Sequence, residues 1–318
     1  MNKKRLKLKK WVWFILIVII FLSIGIISFI KIKNNYVYKR TITYKLLEFG
    51  YNEEEVNLFK KYLNENELND LLKENTKNNT LLKLMQDNNY IHNNLERYLN
   101  YLKYNHSNNY ADVIFKVNLN LDYEFYDNAK EADLSKDNLL LVNKYYYLDS
   151  SFIPTDLVEI SSKYAWGEGK EIKKVVYDAF LNMWNDAYKE DIYLIINLGY
   201  RSYENQEKIY NNLVNAKNKG YADSIAARPG FSEHQTGLAL DIFEKSNSNT
   251  QTFKDSNAYL WLKENAYKYG FILRYTEENE YITGFNDEPW HYRYVGLNEA
   301  KYIYEHNITL EEYITYFA

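Results

Sequence analysis

The 318-residue chain contains no cysteine. Disulfide bonds, thiolate metal ligands and a cysteine nucleophile are therefore excluded, and any metal site must use His, Asp and Glu. A strong charge of one sign is also missing, because the formal net charge is −4 at pH 7. Without a basic field or a local basic patch, no nucleic-acid partner is expected. Hydrophobic residues form 46% of the chain, enough for a core in one large domain or two small ones.

Charge is absent from one stretch near the N-terminus, Trp11–Ile30. As a helix, this stretch would span about 30 Å, the thickness of the hydrocarbon core of a bilayer. Basic residues are more numerous before it than after it, which favours a cytoplasmic N-terminus. A cleaved signal peptide is the alternative, but the apolar run is longer than usual and Ser28–Lys31 is not a small-residue cleavage site. We expect a basic tail over residues 1–10 and an uncleaved transmembrane signal-anchor helix over residues 11–30.

The region over residues 31–136 is polar, and it is nearly free of glycine as far as Asn105. Apolar residues recur there at spacings of three and four, which predicts an extracytoplasmic helical stalk or a small accessory domain. Strict alternation over Val117–Phe125 predicts a half-buried strand, and Leu139–Leu148 looks extended. We place the start of a C-terminal domain, residues 137–318, at this change of pattern.

Helical and strand patterns alternate at the start of that domain. An apolar stripe from Ile172 to Ala187 predicts a helix, and the apolar run Ile192–Leu198 predicts a buried strand. The next helix is expected to begin at the N-cap Ser202 and to end at Gly220.

The C-terminal third follows the same plan. Ala258–Tyr269 predicts a helix, Phe271–Tyr275 and Trp290–Val295 predict strands, and Thr309 with Glu312 forms a capping box for the last helix. The predicted fold is therefore α+β, with a small, mostly antiparallel sheet and flanking helices.

Two acid–histidine pairs lie in the predicted C-terminal domain. His234 precedes Asp241 by seven residues, and Glu288 precedes His291 by three. A zinc hydrolase needs three protein ligands, an open position for water and a nearby carboxylate base. Two histidines and one carboxylate leave the ion enough positive charge to lower the pKa of a bound water to roughly 7. Packing of Trp290 and His291 in an aromatic strand, with a turn before them, is the alternative.

Three motifs, in this order, resemble the VanY-type D-alanyl-D-alanine carboxypeptidases. They are YRSYENQ (Tyr200–Gln206), ARPGFSEHQTGLALD (Ala227–Asp241) and EPWH (Glu288–His291). The wider group of zinc peptidases includes lysostaphin-like enzymes and the hedgehog signalling domain. The resemblance covers about residues 138–318, and it implies the hedgehog and D-Ala-D-Ala peptidase type of fold.

The resemblance assigns roles to individual residues. It implies one catalytic zinc ion held by His234, Asp241 and His291, with Glu288 as the catalytic base. The family arginine, here Arg201, is expected to bind the substrate carbonyl or carboxylate and to stabilise developing negative charge.

Two further residues, Gln206 and Ser232, are expected to hold the backbone of the substrate peptide. The sequence matches the family pattern at every position that is expected to take part in metal binding, substrate binding or catalysis. An inactive relative is therefore not expected.

The implied substrate is the stem peptide of peptidoglycan. The expected reaction removes its C-terminal D-alanine outside a membrane in which residues 11–30 anchor the chain. D,D-carboxypeptidase activity is favoured, with L,D-carboxypeptidase activity close behind. A stem-peptide endopeptidase and a non-catalytic wall-binding protein are the alternatives.

Overall fold

The computed structural model describes residues 9–247 and 249–318. Contacts divide the chain into two compact units. One unit holds the chain up to Glu96 together with Asn105–Ile114, and the other holds Arg97–Tyr104 and Phe115–Ala318. Residues of the predicted stalk, 31–136, thus occur in both units.

The first unit is helical, which confirms the helical pattern predicted for this region. Side chains of Thr41 and Asn52 accept hydrogen bonds from the first turns of the helices that follow them, as N-caps do. The helix bounds in this part of the chain are α1 (Lys10–Tyr38), α2 (Ile42–Phe49), α3 (Glu53–Tyr62), α4 (Glu65–Leu71), α5 (Asn79–Met85), α6 (Leu95–Asn105) and α7 (Tyr110–Asn118).

Helix α1 contains one segment, Trp11–Tyr38, that is long and apolar enough to cross a membrane. Its mean hydropathy reaches 3.0 over an 18-residue window, and none of that window is buried. This finding is consistent with either a signal anchor or a signal peptide.

The prediction of a strand over Val117–Phe125 is wrong. Helix α7 continues to Asn118, and turns follow it. Val113, Ile114 and Val117 are at most 1% exposed and lie at helical spacing, so Val117 belongs to the buried face of a helix and not to a strand. Asn120 then adopts a φ of +63°, which breaks any extended run.

Short strands open the second unit. β1 (Lys130–Glu131) pairs in parallel with β2 (Tyr146–Tyr147), and β3 (Leu157–Glu159) pairs antiparallel with β4 (Glu171–Lys173). Of the segment predicted to be extended, Leu139–Leu148, only β2 is a strand.

Helix α8 (Lys174–Lys189) carries the predicted apolar stripe, although the stripe's first residue, Ile172, lies in strand β4. Its buried side chains belong to the same core cluster as those of β5 (Leu194–Leu198), the predicted buried strand. Phe180 is fully buried, and burial of a side chain of this size stabilises the fold by about 1.5–3 kcal/mol.

Helix α9 (Tyr203–Ala216) begins after Ser202, whose side chain accepts a hydrogen bond from Asn205 N–H, as predicted. The predicted stop at Gly220 is wrong, because Gly220 lies inside a new helix, α10 (Lys219–Ile225). The side chain of Asn218 accepts a hydrogen bond from Tyr221 N–H and so caps and stabilises that helix.

The central sheet is antiparallel throughout and has the order β5-β6-β8-β7. With the helices around it, this sheet confirms the predicted α+β class, and the predicted capping box of Thr309 and Glu312 is present. The remaining bounds are β6 (Ala239–Glu244), α11 (Asn257–Asn265), β7 (Phe271–Leu273), α12 (Glu280–Thr283), β8 (His291–Tyr294), α13 (Leu297–His306) and α14 (Leu310–Tyr316).

Candidate metal centre and active site

The two predicted metal ligands on strands lie opposite each other in the sheet. Asp241 on β6 pairs in register with His291 on β8. His234 lies in a short 3-10 helix, Glu233–Thr236, just before β6. Gly237 ends that helix with a φ of +67°, a conformation that favours glycine, and so turns the chain from His234 into β6.

His234, Asp241 and His291 offer one ligand atom each, and the three atoms lie within 4.8 Å of one another. Asp241 Oδ1 is 3.4 Å from His234 Nε2 and 3.3 Å from His291 Nδ1. All three residues are at most 9% exposed. Asp241 Oδ1 and His291 Nδ1 are buried without a hydrogen-bond partner among the described residues, which is the condition of atoms that face a cation.

The other nitrogen of each imidazole has an acceptor. His234 Nδ1 is 2.9 Å from the carbonyl oxygen of Gly199, and His291 Nε2 is 3.2 Å from Glu233 Oε2. Since both partners are acceptors, these nitrogens carry the protons, and His234 Nε2 and His291 Nδ1 present lone pairs to the centre. Gly199 is required here, because a Cβ would lie 2.3 Å from the backbone oxygen of Glu171.

The electrostatics of the three groups favour a positive charge between them. Burial would raise the pKa of Asp241, but His234 and His291 outweigh it and hold this pKa below its ordinary value. Burial lowers the pKa of His234. Burial also acts to lower the pKa of His291, but the carboxylates of Asp241 and Glu233 raise it to about 9, so that positive charge is favoured at this imidazole. Two nitrogens and one carboxylate oxygen therefore fit a divalent cation such as zinc.

Glu288 lies beside the predicted ligands. Its Oε2 is 3.7 Å from His291 Nδ1, and its side chain is 22% exposed. Burial raises its pKa to about 7, helped by the negative charge of Asp241. A carboxylate with such a pKa can accept a proton and return it near neutral pH.

The predicted substrate-binding residues, Arg201, Gln206 and Ser232, line the same cleft of about 250 Å³ as the three ligands. Arg201 Nη2 donates to Ser232 Oγ at 3.3 Å, and Gln206 Nε2 donates to the carbonyl of Ala227 at 2.6 Å. Arg201 Nε and Gln206 Oε1 are buried and have no hydrogen-bond partner among the residues described. The structure thus brings all seven predicted site residues together.

Several residues of the site were not predicted from the sequence. Glu233, the acceptor for His291, lies within the SEHQ stretch next to a ligand, and that position was its only signal. The cleft is also lined by apolar and aromatic side chains that carry no local signal: Ile209, Leu213, Ile225, Tyr275 and Phe285.

A buried site with two histidines and one carboxylate, beside a second carboxylate and a half-buried guanidinium, fits a metallopeptidase of the zinc type. The family model for D-alanyl-D-alanine carboxypeptidases, VanY, matches residues 169–297. A D-alanyl-D-alanine carboxypeptidase of Enterococcus faecalis (strain ATCC 700802 / V583) is 37% identical over 196 residues, which cover 58% of this chain and 69% of that protein. The chain therefore belongs to the VanY family, as its motifs predicted.

Several solved structures are similar to this chain, among them those of LdcB and VanYB. The LdcB LD-carboxypeptidase, whose structure concerns peptidoglycan recognition, is 42% identical, with a TM-score of 0.56 over 59% of this chain and 90% of that one. VanYB in complex with D-alanine-D-alanine is 34% identical, with a TM-score of 0.50 over 57% of this chain and 99% of that one. The chain is a carboxypeptidase of this family, and its relatives include both D-Ala-D-Ala and L,D types.

Proposed function

We propose that the protein is a membrane-anchored, zinc-dependent carboxypeptidase that removes the C-terminal D-alanine from peptidoglycan stem peptides. D,D-carboxypeptidase activity is favoured and L,D-carboxypeptidase activity is the alternative. The observation that carries the proposal is the buried cluster of His234, Asp241 and His291, with Glu288 and Arg201 on the same cleft.

His234, Asp241 and His291 would hold the zinc ion through Nε2, Oδ1 and Nδ1. When bound, zinc supplies a Lewis acid that lowers the pKa of water and polarises a carbonyl group. Glu288, with a pKa near 7, accepts the proton of the attacking water and delivers it to the departing amine of D-alanine.

Arg201 would bind negative charge on the substrate. Its buried Nε has no partner among the described residues, and its Nη2 already contacts Ser232. A terminal carboxylate or a developing oxyanion would satisfy this donor, and Gln206 Oε1 would accept a backbone N–H of the peptide. Ser232 holds the guanidinium in position and offers its hydroxyl to the peptide.

Two similar proteins support the substrate class. VanYB was solved with D-Ala-D-Ala, and LdcB is an LD-carboxypeptidase that recognises peptidoglycan. The apolar helix α1 supports placement at a membrane, with residues 11–30 as the anchor, the N-terminus cytoplasmic and residues 137–318 as an extracytoplasmic catalytic domain.

The test incubates the full chain in detergent with two purified muropeptides, a pentapeptide that ends in D-Ala-D-Ala and a tetrapeptide that ends in one D-Ala. Mass spectrometry follows free D-alanine with and without a chelator. We expect chelator-sensitive release, faster from the pentapeptide. Faster release from the tetrapeptide would establish L,D specificity, and internal cleavage of a peptide with an amidated C-terminus would establish an endopeptidase. Zinc-loaded protein that cleaves nothing but binds sacculi would instead be a wall-binding protein.

A further inference from the structure

A group of four buried charged side chains lies behind His291, on the side away from the predicted metal. Its members are Glu233, Arg274, Arg293 and Glu311, whose side chains are between 0% and 5% exposed. Two carboxylates and two guanidinium groups balance in formal charge. We call this group the buried ion-pair chain.

The ion-pair chain is continuous from the imidazole to the C-terminal helix. Glu233 uses Oε2 for His291 Nε2, at 3.2 Å. Its Oε1 accepts from Arg274 Nε at 2.9 Å and from Arg293 Nη1 at 3.0 Å. Arg274 then donates to both carboxylate oxygens of Glu311, at 2.6 and 3.0 Å.

The far end of the ion-pair chain lies on segments outside the family match of residues 169–297. Glu311 is on α14, and its Oε1 also accepts from Asn143 Nδ2 at 3.0 Å. Arg293 donates from Nη2 to the carbonyl oxygens of Asn138 and Leu140. Two segments that flank the matched region are thus joined to the metal centre through side chains.

The two carboxylate oxygens of Glu233 have different partners because of the orientation of the arginines. Because Glu311 takes both terminal nitrogens of Arg274, only Nε of that arginine is directed at Glu233. A guanidinium released from Glu311 would be free to take both oxygens of Glu233 in a bidentate pair. Glu233 Oε2 would then be drawn away from His291 Nε2, and the imidazole would lose the acceptor that fixes its tautomer.

We propose that Glu311 is a positioning residue for His291, acting through Arg274 and Glu233, so that helix α14 completes the metal centre. This inference rests on the proposed zinc site. It goes beyond that proposal because it makes a residue of the C-terminal helix a determinant of zinc affinity.

The test compares Glu311→Gln and Glu233→Gln with the parent and with Glu312→Gln. Glu312 is the neighbouring residue on α14, where its carboxylate accepts hydrogen bonds from Thr309 and takes no part in the ion-pair chain. Outer partners of metal ligands are typically worth 10–100-fold in affinity or activity, so we expect Glu233→Gln to weaken zinc by about that factor and Glu311→Gln by about 3–10-fold. Zinc affinity is measured on the full chain in detergent by competition with a chromophoric chelator.

Two further measurements separate positioning from general loss of stability. Nitrogen-15 NMR of histidine-labelled, zinc-loaded protein should show His291 protonated at Nε2 in the parent and in Glu312→Gln, with an altered Nε2 signal in Glu311→Gln. Kinetics with the better muropeptide should show a lower kcat with KM changed less than about twofold, because Glu311 does not line the cleft.

Zinc affinity and His291 signals in Glu311→Gln equal to those of Glu312→Gln would overturn the inference. If Glu311→Gln does not fold, the double variant Arg274→Met/Glu311→Met is measured instead, because apolar replacement of a buried ion pair is often tolerated. In this double variant Glu233 Oε1 loses the Arg274 donor and keeps only Arg293. The readouts then test whether the Arg274–Glu311 pair positions Glu233, and zinc affinity and His291 signals equal to those of Glu312→Gln would again overturn the inference. A parent protein that binds no zinc would refute the proposed function itself, a result distinct from parental behaviour of the variant.

Discussion

Replacement of Glu288 by glutamine separates the catalytic base from the metal ligands. The side chain keeps its shape but can no longer accept a proton, and loss of a general base typically costs about 10²–10⁴ in rate. In free energy this is about 2.7–5.4 kcal/mol of lost transition-state stabilisation. Glu288 Oε2 is 3.7 Å from His291 Nδ1, too far for a hydrogen bond that holds the ligand. We therefore expect zinc affinity to stay within about threefold of the parent, well below the 10–100-fold loss typical of outer-shell partners.

The assay measures bound zinc by chelator competition and D-alanine release by mass spectrometry on the same preparations. Glu288→Asp, whose carboxylate is one methylene shorter, should retain part of the activity. Glu278→Gln, at an exposed position outside the cleft, is the control and should match the parent. Turnover by Glu288→Gln at the parental rate would remove Glu288 from the role of base, whereas loss of zinc from this variant would make it a ligand.

Three other substitutions test the ligand set, a buried lysine and the core. Asp241→Asn removes the negative charge between the two histidines and should weaken zinc by at least about 100-fold, measured by chelator competition. Phe180→Ala should lower the free energy of unfolding by about 3–5 kcal/mol in urea titrations, since this side chain is fully buried. Lys144→Met tests a group whose pKa burial lowers to about 8. Between pH 8 and 10.5 the folded parent sheds this proton while the unfolded chain keeps it, so parental stability should rise relative to Lys144→Met by up to about 3 kcal/mol. If the difference in free energy of unfolding between the parent and Lys144→Met did not change with pH, the lowered pKa of Lys144 would be wrong.

Most of the site was predictable from the sequence because its residues lie in three short motifs. Within each motif the residues have a fixed spacing that suits the local backbone. Gly237, for example, supplies the left-handed turn between His234 and β6. The sheet register that sets Asp241 against His291 follows from long-range pairing, which local patterns do not contain. The ion-pair chain was not predicted for the same reason, because Glu233 and Glu311 are distant in sequence and meet only through Arg274.

The wrong secondary-structure predictions also have local physical causes. Alternation over Val117–Phe125 suited a strand, but the buried face of α7 runs into this segment and a left-handed turn at Asn120 follows. Gly220 suited a helix end, but Asn218 caps a new helix that contains it. In both places a side chain or packing contact outweighed a pattern of residue types.

The two glutamates next to His291 have different pKa values because their surroundings differ, and this difference suits them to different roles. Glu233 is fully buried, which would raise its pKa, but Arg274 and Arg293 outweigh burial and keep it ionised. Glu288 has no such pair of arginines against its carboxylate, so burial prevails and its pKa rises to about 7. A permanent anion suits a group that holds an imidazole proton in place, and a pKa near neutrality suits a group that carries protons. The arginines on β8 and at the end of β7 therefore decide which glutamate holds the ligand and which is free to react.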